Sequence, residues 1–345
     1  MTKESRAFFE TVRDYLQIYL PRQRGLSPNT IISYRQAINQ YIAFLVDKTG
    51  IRYENISFQD WNAGSINDYL RYLESDRNTS AATRNQRLFA LRAFLKYARI
   101  NDPGLGSLSL EVQSIATARE MKEPVGFLSE NAMEALLKQP DIRKKTGIRD
   151  MCFLITMYDT AARDCEMLSL RLESLNIDAR SPTIRLEGKG NKVRDVPLMS
   201  KTVEHLRNYL QIFHPSEFRK KEDYLFFTVS HGERHRMSDD NVARFINKYA
   251  GMAREECGEV PANVTPHMFR HTRAMHLYRN GMPLQLLAEF MGHSSMISTQ
   301  VYAYADTEMK RKALEKSQSQ ALYSAAEAPK WQTDEETIRR LYGLM

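Results

Sequence analysis

Cysteine is scarce in this chain. Three occur in 345 residues, Cys152, Cys165 and Cys257, and none stands at C-x-x-C spacing. That excludes a disulfide framework and a zinc ribbon, and it sets the expectation of a reduced, cytosolic protein. No apolar run is long enough to span a bilayer, and the opening "MTKESRAFFETVRDYL" mixes acids with bases and has no apolar h-region. Neither a membrane span nor a signal peptide is expected. The sequence also lacks internal repeats, low-complexity tracts, an H-E-x-x-H helix and a G-x-x-x-x-G-K-[ST] loop. Neither a zincin-type metal site nor a P-loop nucleotide site is therefore indicated, and no cofactor is expected.

What remains is the composition of a globular protein, 42% hydrophobic and 26% charged, with room for two or three domains. The formal charge is +7 and the pI about 9.2, from Lys and Arg spread along the chain with no polybasic tail. A folded basic surface suits a polyanion such as DNA.

The first hundred residues read as helices. Ser27 is an N-cap with Pro28 at the first helical position, and Ile31, Ile38, Tyr41, Ile42 and Leu45 then share a face. In "SAATRNQRLFALRAFLKYARI", Leu88, Leu91, Leu95 and Ala98 form an apolar stripe flanked by a basic row, Arg92, Lys96 and Arg99. That row reads either as a solvated flank or as an edge that contacts DNA phosphates. "NDPGLGS" interrupts the pattern and "TAREMKEP" is poor in apolar residues, so a boundary falls around 112–125. Beyond it, helices begin at "FLSENAMEALLKQ", capped by Ser129, and at "GIRDMCFLITMYD". "TIRLEG" and "KVRDVPL" alternate with period two around "GKGNK", the pattern of a hairpin. Helices resume with "SKTVEHLRNYLQIF" and with the Ser238-capped "SDDNVARFINKYAGMAREE". The expected fold is mainly α with a small antiparallel β-sheet: a helical domain over 1–112, a linker over 113–125, a second domain over 126–316 and a tail over 317–345. In the tail, "DTEMKRKALEKSQSQALYS" continues as a polar helix. Thr333 and Glu336 then fit a capping box before an amphipathic helix whose apolar face holds Trp331, Ile338, Leu341, Tyr342 and Met345.

Four islands could carry chemistry: "TAARDCEMLSL", "LEGKGNKVRDVPL", "TPHMFRHTRAMHL" and "MGHSSMISTQVY". Each is ambiguous alone. His267, His271 and His276 suggest a metal site, since His267 and His271 are at i, i+4. Arg270 and Arg273 in the same segment repel a divalent cation, however, and no acidic cluster completes the ligand set. Together the islands supply cations and hydrogen-bond donors facing one oxygen nucleophile. That set suits a phosphodiester, whose transition-state charge would be stabilised by side chains.

The order Arg, Lys, His-x-x-Arg, His, Tyr, with "PHMFRHTRA" and "GHSSMISTQVY", resembles the tyrosine recombinases, the lambda-integrase-like site-specific recombinases. The likeness covers 126–316 as their catalytic domain of the DNA breaking-rejoining fold. It extends to "LSPNTIISYRQAINQYIAFL" and "TRNQRLFALRAFLKYA" as their helical core-binding domain. It implies Arg163 as the first catalytic arginine, with Glu166 supporting it, and Lys189 as the hairpin lysine in preference to Lys192. His267 and Arg270 match the His-x-x-Arg pair, His293 the histidine of the "LGH" turn, and Tyr302, nine residues later, the nucleophile; Tyr304 is left as a packing residue. Ala161, Ala162 and Asp164 depart from the family wording around Arg163 without removing a catalytic group.

The implied reaction cuts and rejoins DNA through a 3′-phosphotyrosyl intermediate, with no metal or ATP. The arginines clamp the phosphate, His267 is the candidate acid/base, His293 donates to the phosphate, and Lys189 protonates the 5′-oxygen. The implied partner is double-stranded DNA carrying recombination sites. The protein is expected to be a homotetramer on that DNA and monomeric or weakly associated when free, with accessory DNA-bending proteins and a cytoplasmic, nucleoid location. An integrase or transposase of a mobile element is the first reading, a Xer-type chromosome-dimer resolvase the second. A type IB topoisomerase would relax supercoils without site specificity. A non-catalytic DNA-binding protein would form no covalent adduct. The C-terminal helix is expected to dock either on its own catalytic domain or, as in the resembled family, on a neighbouring subunit.

Overall fold

Seven α-helices among the described residues begin where a short polar side chain holds a free backbone N–H. Ser27, Ser80, Ser129 and Ser238 each accept from the N–H three residues on, at 3.4, 3.3, 3.1 and 3.3 Å. The computed structural model describes residues 1–120, 126–188, 192–293, 295–305, 311, 314 and 334–344. The chain divides into two compact units, Met1–Glu123 and Pro124–Met345.

The first unit is helical: α1 (Lys3–Asp14) runs on through a π-helical stretch, Tyr15–Gln23, and is followed by α2 (Pro28–Thr49), α3 (Ala63–Ser75), α4 (Ala81–Asn101) and α5 (Gly106–Gln113). Its core is aromatic. Trp61 meets Tyr41 and Phe94 edge-on, each at 4.9 Å between ring centroids, the arrangement aromatic quadrupoles favour. The predicted stripe of α4 faces this core, with Leu88, Leu91, Leu95 and Ala98 all buried.

The unit continues past residue 112, where the sequence suggested a linker. Ile115 joins the core, and the side chain of Asn85 exchanges two hydrogen bonds with the backbone of Ala118, both 2.9 Å. An asparagine amide inside α4 can satisfy an extended backbone in this way. Nothing in the local composition of 113–120 reveals it.

In the second unit come α6 (Glu130–Leu137), α7 (Lys145–Thr160), α8 (Asp164–Ser169), β1 (Leu175–Asn176), β2 (Thr183–Gly188), β3 (Lys192–Pro197) and α9 (Ser200–Phe213). After them stand β4 (Phe227–Ser230), β5 (Glu233–Arg236), α10 (Asp239–Glu256), α11 (Pro266–Arg279), α12 (Leu284–Met291), α13 (Ile297–Ala305) and α14 (Glu335–Leu341). Strands β1, β2 and β3 form one antiparallel sheet, with Ile184 opposite Val196, and β4 and β5 form a separate hairpin. Buried Asp159 ties three helices together. It accepts from Met199 N–H at 2.9 Å and the Thr202 hydroxyl at 2.8 Å on the α9 side, and from Arg273 of α11 at 3.0 Å. The architecture is mainly α with small antiparallel sheets. No helix among the described residues is long and apolar enough to cross a membrane.

Candidate active site

The site grows from helix ends. α7 stops at Ala161, which holds φ +48 in the left-handed region, and the chain then turns so that Arg163 stands, extended, at the start of α8. Ala161 stands where the resembled family often has glycine, and the positive φ explains that preference. Here its methyl is fully buried instead.

Glu166, one turn into α8, is 2% exposed and accepts four hydrogen bonds. Two come from Arg163, through its backbone N–H at 2.8 Å and its guanidinium at 2.7 Å. The other two come from Arg194 of β3, at 3.0 and 2.7 Å. Burial pushes the Glu166 carboxyl up, but Arg194 and the Arg163 N–H outweigh it, leaving the group below the usual carboxylate range. One carboxylate thus fixes two guanidiniums and leaves the cluster net positive. A Cβ on Gly188 would lie 3.0 Å from Glu166 Oε1 and 3.6 Å from Arg163, so a side chain there would crowd the Glu166 carboxylate, which glycine avoids.

Arg270 in α11 is 2% exposed and donates to the carbonyls of Ala161 at 2.6 Å and Met291 at 2.5 Å, the C-terminal ends of α7 and α12. Burial, with Arg163 nearby, lowers its pKa to about 10. His267 sits in the first turn of α11, its pKa lowered by burial and then by Arg270 and Arg163. α12 ends on Gly292 at φ +63, and the turn aims His293 so that its Nδ1 pairs with the Thr299 hydroxyl at 2.8 Å. Burial and Arg270 hold His293 down to about 4.

Tyr302 on α13 is 1% exposed, packed among Ala161, Ala274, Met275, Leu287 and Met291. Its hydroxyl lies 2.8 Å from Nδ1 of His271. Burial raises its pKa to about 12, against the pull of Arg270 and Arg163.

Of the residues expected from sequence, Arg163, Glu166, His267, Arg270, His293 and Tyr302 therefore share one electrostatic environment in the second unit. Lys189 lies outside the described residues, as do Trp331, Thr333, Met345 and nearly all of the polar stretch after Tyr302. Two members were not anticipated. Arg194 lies in the hairpin whose lysines the resemblance singles out, and the sequence offers His271 only as a metal ligand. Its i, i+4 spacing from His267 does put the rings together, edge-on at 4.4 Å. His276 is held elsewhere, between the Tyr158 hydroxyl at 2.8 Å and the Leu128 carbonyl at 3.0 Å. In the first unit, Arg92 caps the end of α5 by donating to the carbonyls of Val112, at 3.2 Å, and Ile115. Lys96 is exposed and Arg99 half-buried.

Residues 126–309 match the phage integrase family, and residues 12–102 match the phage integrase N-terminal SAM-like domain. The chain is a tyrosine recombinase of the phage integrase family. Such enzymes cleave and rejoin DNA. The putative integrase/recombinase y4rC of Sinorhizobium fredii is 32% identical over 298 residues, covering 86% of the recombinase described here and 87% of its own length. Tyrosine recombinase XerD of Staphylococcus saprophyticus is 29% identical over 302 residues, covering 87% and 96%. Among solved structures, the Tn1549 transposon integrase in complex with transposon right end DNA has the same fold at a TM-score of 0.65 and 17% identity, over 88% of this chain and 98% of its own. XerH bound to its difH substrate superposes at 0.61 with 20% identity, over 90% and 89%.

Proposed function

We propose that this recombinase exchanges DNA strands at specific sites through a 3′-phosphotyrosyl intermediate, with Tyr302 as the nucleophile. The observation that carries the reading is the setting of one hydroxyl: Tyr302 Oη is buried beside histidines and within the field of Arg163 and Arg270. At a pKa of about 12, ionising it at pH 7 costs about 7 kcal/mol, more than the roughly 4 kcal/mol of a free tyrosine. A bound phosphodiester and a proton acceptor must supply the difference. Arg163 and Arg270 clamp the non-bridging oxygens in a planar geometry that lysine does not copy, and His267 and His293 complete the shell around the phosphate. Lys189 protonates the departing 5′-oxygen. The bond energy stays in the tyrosyl ester, so religation needs no ATP.

The test is adduct trapping on a nicked suicide duplex. Tyr302→Phe is expected to bind DNA and form no covalent complex, whereas Tyr304→Phe still forms it; an adduct in the first variant overturns the reading.

In the cell we read the enzyme as the integrase or transposase of a mobile element, acting as a homotetramer on double-stranded DNA, with accessory DNA-bending proteins as further partners. The likeness to y4rC supports the mobile-element reading. The nearly full-length match to XerD supports the second reading, a chromosome-dimer resolvase. Nucleotide-resolution mapping of the DNA it occupies separates them: the ends of an element for one, a single chromosomal site for the other.

A further inference from the structure

The hydroxyl of Tyr302 hydrogen-bonds not to His267, the histidine of the His-x-x-Arg pair, but to His271, one helical turn further along α11. Among the described residues the His267 side chain makes no hydrogen bond, and its ring meets that of His271 edge-on at 4.4 Å. The rings of His271 and Tyr302 are 5.7 Å apart, with Nδ1 and Oη at 2.8 Å. Of the two histidines, His271 is the one hydrogen-bonded to the Tyr302 hydroxyl.

We propose that His271 is the proton acceptor for the nucleophile and that His267 serves the phosphate instead. The proposal rests on the reading of Tyr302 as the attacking group. In cleavage, the Oη–H bond breaks as the Oη–P bond forms, and the proton passes to His271 Nδ1, making an imidazolium. The P–O5′ bond breaks with its electron pair on the oxygen, which takes a proton from Lys189. Religation runs the same transfers backwards. The tautomer this needs has Nδ1 bare and Nε2 protonated.

The surroundings suit the role. Burial, and then His267, Arg270 and His293, hold the free His271 down to about 4, so it is neutral and able to accept across the working pH range. An incoming phosphodiester adds negative charge beside Arg270 and the histidines and favours the imidazolium as the proton moves. Packing of Tyr302 against Ala274, Met275 and Met291 keeps the pair in register.

The experiment uses the full chain on a nicked suicide duplex carrying its mapped site, comparing adduct rate with DNA affinity from pH 6.5 to 9.5. His271→Ala is expected to slow the adduct about 100-fold at neutral pH, a usual contribution of a positioned acid or base, with affinity and Tm close to wild type. The defect shrinks as pH rises, because hydroxide can then take the proton. His271→Asn keeps an acceptor near the hydroxyl but cannot hold the proton, and it is expected to be as slow as alanine. Added imidazole is expected to restore His271→Gly in part. DNA with a 5′-bridging sulfur, whose leaving group needs no proton, rescues Lys189→Ala but not His271→Ala. Asparagine at the wild-type rate, alanine within threefold of wild type, or relief by the bridging sulfur each overturns the assignment. An adduct formed by Tyr302→Phe on the same duplex would instead refute the underlying nucleophile.

Discussion

Asp164, the residue after Arg163, shows how closely charge is managed around the site. Burial, and then the nearby Asp239, push its carboxyl up to about 6, against the opposing pull of Arg236, and its Oδ1 has no hydrogen-bond partner among the described residues. A folded pKa above the unfolded value means that the folded state prefers the proton. The stability contributed is complete below about pH 4 and is lost as pH rises through 6. Asp164→Asn, neutral throughout, is expected to raise Tm by about 2 °C at pH 7.5, a solvent-screened effect of under 1 kcal/mol, with no gain at pH 4. Calorimetry at the two pH values checks it. The departure of Asp164 from the family wording is plain in the sequence; its effect is not, because it depends on α10 bringing Asp239 alongside. Arg194 and His271 were hidden for the same reason. Each acts on a group 28 or 31 residues away, across elements whose packing no local pattern reports.

Among the elements, the turn at Gly292 joins the site's parts most directly. A Cβ there would meet Arg194 at 3.1 Å from a terminal nitrogen and 3.2 Å from Cδ, at a φ of +63. Alanine would have to hold a left-handed backbone, costing about 1 kcal/mol, and would push Arg194 off Glu166. Gly292→Ala is expected to lose about 2 kcal/mol in denaturant melts and to slow cleavage with it. In an Arg194→Ala background only the backbone cost remains, and that non-additivity is the diagnostic result. The sequence made the capped helices legible because serine, proline and apolar spacing are local signals. It also placed the β2–β3 pair, whose strands alternate. The β4–β5 hairpin escaped because β5 is exposed along its whole length and "ERHR" has no alternation. Its one local signal is the loop His231-Gly232, where both residues have positive φ, as a two-residue type I′ turn requires.

For the whole molecule, the exposed apolar side chains at α14 bear on assembly. Among its described neighbours in sequence, Tyr342 is 72% exposed and Leu344 73%, and the helix has no buried residue. If the segment docks on another subunit, truncation after Ser324 is expected to leave the Tm and single-site DNA binding unchanged while abolishing the tetrameric synapse in native gels or light scattering. A truncated protein that loses Tm yet still forms the synapse would place the helix on its own catalytic domain. Arg270 has a different kind of reach. Because its guanidinium bonds the carbonyls that close α7 and α12, the fold itself selects for arginine at this position, whether or not any DNA is cut. A descendant that had lost catalysis would still be under pressure to keep Arg270, so in a genome survey this arginine is a poor witness to activity. Tyr302, whose ring could be replaced by phenylalanine within the same apolar packing, is the residue whose retention testifies that the chemistry is still in use.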